Sequence, residues 1–177
     1  MRFLIVYLWA VIFFLFSCKN ESKPQEKQAH NISKQELKKE LLKSNNHFLK
    51  IEDQNIKDYI QRHHYQMTKT GTGLYYEIYK EGSGPVAQEG DIAVLKYTLR
   101  LINGVVVYDS EQDGLKEFRI SKGGVESGLE EGILLLKLGD CARFILPSHL
   151  AFGLAGDHNK IPRKATLVYD IELINLK

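Results

Sequence analysis

The chain has 177 residues, 44% of them hydrophobic and 26% charged, which excludes collagen-like and fully disordered classes and suffices for one globular domain plus an additional segment. The 24 basic and 22 acidic residues give a formal net charge of +2. This near-neutral balance argues against nucleic acid as the main partner.

An apolar run comes first in chain order. Residues 3–16 are 14 uninterrupted apolar residues after Arg2, too few for an ordinary membrane-spanning helix and typical of a secretory signal. The run ends on LFSC at residues 15–18, which resembles the lipobox of bacterial lipoproteins, whose cysteine is acylated and becomes the new N-terminus. We therefore predict a signal peptide over residues 1–17 and a lipid on Cys18; a plain signal peptide is the alternative.

Lipid on Cys18 would leave Cys141 without a cysteine partner. Two cysteines then form neither a disulfide framework nor a zinc site, and Cys141 is predicted to be a buried thiol in a strand. Residues 18–32 are polar, contain Pro24 and lack periodicity, which predicts a lipidated tether.

Helical signals follow the tether. Ser33 and Glu36 form a capping-box pattern, and leucines at helical spacing follow them. A second candidate helix covers about residues 53–64. Its apolar face would contain Ile56, Tyr59, Ile60 and His63. We assign residues 33–68 to a helical arm that packs on the following domain or pairs with a second copy.

Strand patterns dominate residues 69–177. Residues 92–101 alternate apolar and polar side chains, which places Tyr97 on the buried face, and Asn103-Gly104 predicts a hairpin turn. One helical stretch covers residues 128–136 and is closed by Gly139. Further strands are expected over residues 74–79, 105–108, 118–120, 142–147 and 165–176. The pattern predicts an α+β fold, with an antiparallel sheet over one short helix.

The chemistry-bearing residues form no familiar catalytic set. The sequence contains no Ser-His-Asp order, phosphate-binding glycine loop or metal cluster, so no cofactor or metal is predicted. Aromatic residues at strand ends and loops are more prominent, although ordinary core packing would also explain them. They are Tyr97, Tyr108, Phe118, Phe152 and Tyr169.

Five blocks carry a resemblance to a known family. In order they are VLKYTLRL (94–101), NGVVVYDSEQ (103–112), EFRI (117–120), GLEEGILLLKLGDCARFILPSHLAFG (128–153) and IPRKATLVYDIELINL (161–176). Residues 71–177 thereby resemble an FKBP-type peptidyl-prolyl isomerase. With the lipobox and the arm, the chain most resembles the gliding-motility-associated isomerase lipoproteins; sibling lipoprotein and macrophage-infectivity-type isomerases are the alternatives.

The resemblance implies a five- to six-stranded antiparallel sheet wrapped around one short helix, with the substrate proline in a pocket between them. It implies pocket walls at Tyr97, Phe118 and Tyr169 and a floor at Leu129. It places Val125 and the backbone N–H of Glu126 beside the proline, Tyr108 and Asp109 at the rim, and Phe152 and Ile161 in a loop that closes the pocket.

This sequence departs from the family pattern at several positions. Phe152 replaces a usual tyrosine, Gly114 lies near a usual arginine, Asp157 replaces a common histidine, and Glu126 replaces an apolar residue. We expect weaker turnover than in the best family members.

The expected function is a lipid-anchored isomerase in the bacterial envelope, acting on proline-containing polypeptides and associated with gliding motility. The outer membrane, facing the periplasm, is favoured over the inner membrane. The residues after the lipid site are Lys19 and Asn20, and neither is the aspartate that often retains lipoproteins in the inner membrane. A proline-binding module with little turnover is the alternative function.

Overall fold

The computed structural model describes residues 33–177. The predicted signal peptide, lipidated Cys18 and tether lie outside the described residues and stay predictions. In chain order the described elements are α1 (Lys34–His63), β1 (Thr68–Lys69), β2 (Tyr75–Lys80), β3 (Ile92–Leu101), β4 (Val106–Asp109), β5 (Lys116–Arg119), α2 (Ser127–Ile133), β6 (Cys141–Leu146), a 3-10 turn (Ser148–Leu150) and β7 (Leu167–Leu176).

A single 30-residue helix, α1, replaces the two short helices expected from the sequence. Its start is the predicted capping box, in which Ser33 N–H donates to Glu36 Oε2 and Glu36 N–H donates to Ser33 Oγ. The residues between the two predicted helices include no glycine or proline. Poor helix formers such as Asn45 and Asn46 lower helix propensity without ending the helix.

The second half of α1 packs on the sheet. Ile56 and Tyr59 are buried against Tyr75, Ile145 and Val168, which belong to β2, β6 and β7. This second core cluster lies apart from the main one. Packing on the sheet is one of the two alternatives expected for the arm, whereas the boundary at residue 68 stays a prediction.

A buried carboxylate also joins α1 to the segment between β6 and β7. Glu52 is 5% exposed and accepts hydrogen bonds from Ser148 N–H at 2.7 Å, Ser148 Oγ at 3.1 Å and Thr166 Oγ1 at 2.8 Å. Ser148 and Thr166 flank the segment that contains Phe152 and Ile161. The helix therefore holds both ends of that segment.

The antiparallel sheet has seven strands within residues 33–177, in the order β1-β2-β6-β7-β3-β4, with β5 also paired to β3. The first half of β3 pairs with β5 and its second half with β4. The Asn103-Gly104 turn forms as predicted: Gly104 has φ +92°, and Asn103 Oδ1 accepts a hydrogen bond from Val105 N–H at 3.1 Å.

Two glycines allow α2 to lie close to β6. A Cβ on Gly132 would be 2.6 Å from a ring carbon of Phe144, and one on Gly128 would be 2.7 Å from the Leu146 side chain. This approach places Leu129, with 0% exposure, in the main core cluster. The helix ends at Ile133, three residues earlier than expected, and the chain turns before Gly139.

The other expected strands are present with small shifts at their ends. Cys141 is a buried free thiol in β6, as predicted, and burial raises its pKa. Between residues 33 and 177, no helix combines the length and apolar character needed to cross a membrane.

Candidate active site

The four residues expected to wall and floor a pocket lie in one buried cluster. Tyr97 comes from β3, Phe118 from β5, Leu129 from α2 and Tyr169 from β7, and each is at most 8% exposed. The Tyr97 and Tyr169 ring centroids are 6.1 Å apart and their planes are tilted by 50°. The strand alternation in β3 and β7 directs both rings to the same side of the sheet.

A buried carboxylate joins this cluster. Tyr169 Oη donates to Glu126 Oε1 at 2.8 Å, and the Glu126 side chain is only 2% exposed. Burial, followed by the charge of Glu126 and this hydrogen bond, raises the pKa of Tyr169 well above its usual value. The expectation for Glu126 concerned only its backbone N–H, so the position of its side chain is a new finding.

Lys116, absent from the expected site, lies beside the same rings. Its Nζ atom is 5.4 Å from the Tyr97 ring centroid, 5.7 Å from that of Tyr169 and 3.9 Å from Glu126 Oε2. Lys116 is two residues before Phe118 in β5, and side chains two apart on a strand share a face. This spacing was the sequence signal for its position.

Tyr108 is anchored to the loop that contains Ile161. Its hydroxyl donates to Asp157 Oδ2 at 2.5 Å, and the Asn159 side-chain amide donates to Tyr108 Oη at 3.1 Å. Asp157 Oδ1 accepts the N–H groups of Asn159 and Ile161. Desolvation would raise the pKa of Asp157, but these hydrogen bonds outweigh it and lower the pKa, whereas the bond to Asp157 raises the pKa of Tyr108.

Asp109 caps the turn that follows β4. Its Oδ1 accepts the N–H groups of Glu111 and Gln112, both at 2.9 Å, while its own N–H donates to Asp113 Oδ2. Burial, followed by the charges of Asp113 and Asp109, raises the pKa of Tyr97. The carboxylate of Asp109 thus shapes the turn and contributes negative charge near Tyr97.

The remaining expected site residues differ in burial. Ile161 is buried in the main cluster and Val125 is half-buried against it. Phe152 is 36% exposed and therefore lies at the surface of the segment after the 3-10 turn. An exposed ring there is available to contact a bound ligand.

The sequence of this chain matches a known protein family and several of its members. Residues 84–174 match the model of the FKBP-type peptidyl-prolyl cis-trans isomerase family. The chain is 40% identical over 108 residues to the probable FKBP-type peptidyl-prolyl cis-trans isomerase FkpA of Neisseria meningitidis serogroup B, and 35% identical over 109 residues to FkpA of Escherichia coli K12. These alignments cover 60% and 61% of this chain, and 39% of each relative.

A solved structure has a similar fold. The crystal structure of AtFKBP13 is matched with a TM-score of 0.61 and 30% identity, over 63% of this chain and 99% of that one. The alignments to the two FkpA proteins span about two fifths of those relatives' lengths, so the similarity concerns one part of each.

Proposed function

Because the chain belongs to the FKBP-type peptidyl-prolyl cis-trans isomerase family, we propose that it catalyses rotation about X–Pro bonds in polypeptides. The substrate proline would pack against the rings of Tyr97, Phe118 and Tyr169, above Leu129. One observation carries this proposal: four residues far apart in sequence, from four different elements, lie in one buried cluster.

The chemistry needs no nucleophile and no proton transfer. Conjugation of the amide gives rotation a barrier of about 18–20 kcal/mol, so uncatalysed exchange takes tens to hundreds of seconds. A twisted amide has lost this conjugation and is less dipolar than the planar amide. Aromatic walls therefore stabilise the transition state relative to the ground state, which lowers the barrier.

The rim residues would orient the peptide. Val125 and the Glu126 N–H would contact the residue next to the proline, and Tyr108 and Asp109 would border the pocket. Phe152 and Ile161 would cover it. Phe152 has no hydroxyl to donate to a substrate carbonyl, and one lost hydrogen bond costs about 0.5–1.5 kcal/mol, or up to about tenfold in rate.

Exchange NMR on an Ala-Leu-Pro-Phe peptide tests the proposal without a coupling protease. The full chain, purified in detergent micelles, should accelerate cis-trans exchange. Phe118→Leu should reduce this acceleration at least tenfold, because a pocket wall is lost. Ile145→Val is the control, since Ile145 is also apolar and buried but packs on the opposite face of the sheet, against α1. Equal loss in both variants would contradict the assigned pocket.

A second candidate function is a proline-binding module with little turnover. Phe152 favours this reading, because it lacks the hydroxyl that would donate to a substrate carbonyl during rotation while its ring still contacts a bound peptide. Saturable peptide binding without accelerated exchange would support the second candidate over the first.

We further propose that a lipid on Cys18 anchors the chain in the bacterial envelope, at the outer membrane and facing the periplasm. The LFSC motif supports acylation. Stable anchoring takes more than one acyl chain, since each buried methylene contributes about 0.8 kcal/mol. Fractionation of cells fed labelled fatty acid tests this, and loss of label in Cys18→Ser is the expected result. Soluble, unlabelled protein would contradict it.

The arm and the cellular role complete the proposal. Leu41 and Leu42 are exposed on α1, which supports pairing with a second copy through the arm. Sedimentation of the full chain and of a Leu41→Lys/Leu42→Lys variant distinguishes a dimer from a monomer.

The resemblance to gliding-motility lipoproteins suggests substrates in that machinery. A strain in which the gene is deleted should lose gliding. Restoration of gliding by the wild type but not by Phe118→Leu would support this role.

A further inference from the structure

Lys116 lies over two rings of the proposed pocket. Its Nζ atom and the ring centroids of Tyr97 and Tyr169 form a nearly equilateral triangle with sides of 5.4, 5.7 and 6.1 Å. These distances are typical of a cation held by aromatic rings. A proline ring packed against the faces of Tyr97 and Tyr169 that Lys116 covers needs the same space, so the ammonium and the proline exclude each other.

Glu126 depends on this ammonium. Its Oε1 atom accepts the Tyr169 hydrogen bond, whereas its Oε2 atom is buried and has no hydrogen-bond partner among the described residues. Within residues 33–177 the nearest cation is Lys116 Nζ at 3.9 Å, which is beyond hydrogen-bond distance. A buried carboxylate oxygen without a donor is costly, so this oxygen has unused capacity to bind a donor.

Displacement of the Lys116 ammonium by a ligand has different consequences for Lys116 and for Glu126. The Lys116 side chain is 24% exposed, and its flexible stem is long enough to carry the ammonium into water. The Glu126 side chain is 2% exposed and stays beside the rings. The carboxylates of Asp109 and Asp113 add negative charge on the Tyr97 side of the site. A ligand that brings its own cation compensates the negative charge of Glu126, and a neutral ligand does not.

We propose that Glu126 and Lys116 determine substrate specificity, and that the preferred substrates have a lysine or arginine next to the proline. The substrate cation replaces the Lys116 ammonium beside Glu126 Oε2 while the proline takes the space over the two rings. This inference rests on the proposed function, because it assigns a substrate class to the same pocket.

The test uses three peptides, Ala-Lys-Pro-Phe, Ala-Leu-Pro-Phe and Ala-Glu-Pro-Phe, with the full chain in detergent micelles. Binding is measured by anisotropy of labelled peptides, and turnover by exchange NMR. For the wild type we expect the lysine peptide to bind about tenfold more tightly than the leucine peptide, with the glutamate peptide weakest. Glu126→Gln, which keeps an acceptor for Tyr169, should abolish this order.

Lys116→Met provides the converse test. It keeps the apolar stem and removes the ammonium, so the leucine peptide should bind and turn over several-fold better. The matched controls are Lys96→Met and Glu172→Gln, whose side chains lie on the opposite face of the sheet, and both should behave as wild type. Glu126→Gln and wild type should unfold at similar urea concentrations, which separates specificity from stability.

The outcomes separate the inference from the function. A lysine preference that is lost in Glu126→Gln supports the inference, even if no peptide is turned over and the isomerase function fails. Turnover without a lysine preference, or a preference that survives in Glu126→Gln, overturns the inference and leaves the function standing. Absence of binding to all three peptides, in both wild type and Lys116→Met, overturns both.

Discussion

The hydrogen bond from Tyr169 to Glu126 gives the sharpest prediction for stability. Tyr169→Phe removes the hydroxyl and leaves both carboxylate oxygens of Glu126 buried without a hydrogen-bond donor. Such a loss costs about 1–3 kcal/mol, and more for a charged group, so we expect about 2–3 kcal/mol. Glu126→Leu leaves the Tyr169 hydroxyl unpaired instead, at a cost of about 1–3 kcal/mol.

The double variant Tyr169→Phe/Glu126→Leu removes both polar partners at once. Because no buried group is then left unpaired, its unfolding free energy should lie within about 1 kcal/mol of wild type. Glu126 makes no side-chain cap hydrogen bond to α2, so the substitution removes no cap. The two single changes should therefore be strongly coupled.

Urea unfolding followed by circular dichroism measures these free energies by linear extrapolation. The wild type, the two single variants and the double variant are compared in the same detergent and at the same pH. Additive costs, with the double variant about 4 kcal/mol below wild type, would show that the two groups do not act as a pair in the folded chain.

Three further predictions concern packing, the helix contact and pH. Gly132→Ala should lower stability by about 1–3 kcal/mol through overpacking against the Phe144 ring, whereas Gly71→Ala, with no atom within 4 Å of its Cβ, should be nearly neutral in thermal unfolding. Glu52→Ala should speed amide hydrogen exchange at Ser148 and cost about 3 kcal/mol, and unchanged exchange would contradict the assigned contact. The lowered pKa of Asp157 stabilises the fold above the ordinary aspartate pKa of about 3.9, and this contribution disappears as pH falls through the folded-state value. Asp157→Asn should therefore be less stable than wild type at pH 7 and lose less stability than wild type on acidification. Parallel curves of unfolding free energy against pH for the two proteins would contradict this.

The strand periodicity predicted the elements that bring the rings together. Alternation in β3 correctly placed Tyr97 on the buried face, and the Asn103-Gly104 turn fixed the hairpin beside it. Both features are local, since side-chain alternation and turn conformation depend on neighbouring residues. The convergence of four elements depends on long-range pairing and was anticipated only through the family resemblance.

The polar interior of the site was not predicted from the sequence. Lysine and glutamate are mostly exposed in proteins, so only the two-residue spacing from Phe118 indicates the position of Lys116, and no local pattern indicates that Glu126 is buried beside Tyr169. The length of α1 was also wrong in the prediction, because the gap between two apolar faces was interpreted as a break. The joining residues contain no glycine or proline, and the helix continues through them although residues 34–47 are exposed.

The central claim is that a substrate proline sits among the pocket rings, and nuclear Overhauser effects from a bound peptide test it most directly. The δ protons of the proline in bound Ala-Leu-Pro-Phe should give cross-peaks to the ring protons of Tyr97, Phe118 and Tyr169. Cross-peaks only to residues on the opposite face of the sheet, such as Tyr79, would contradict the account.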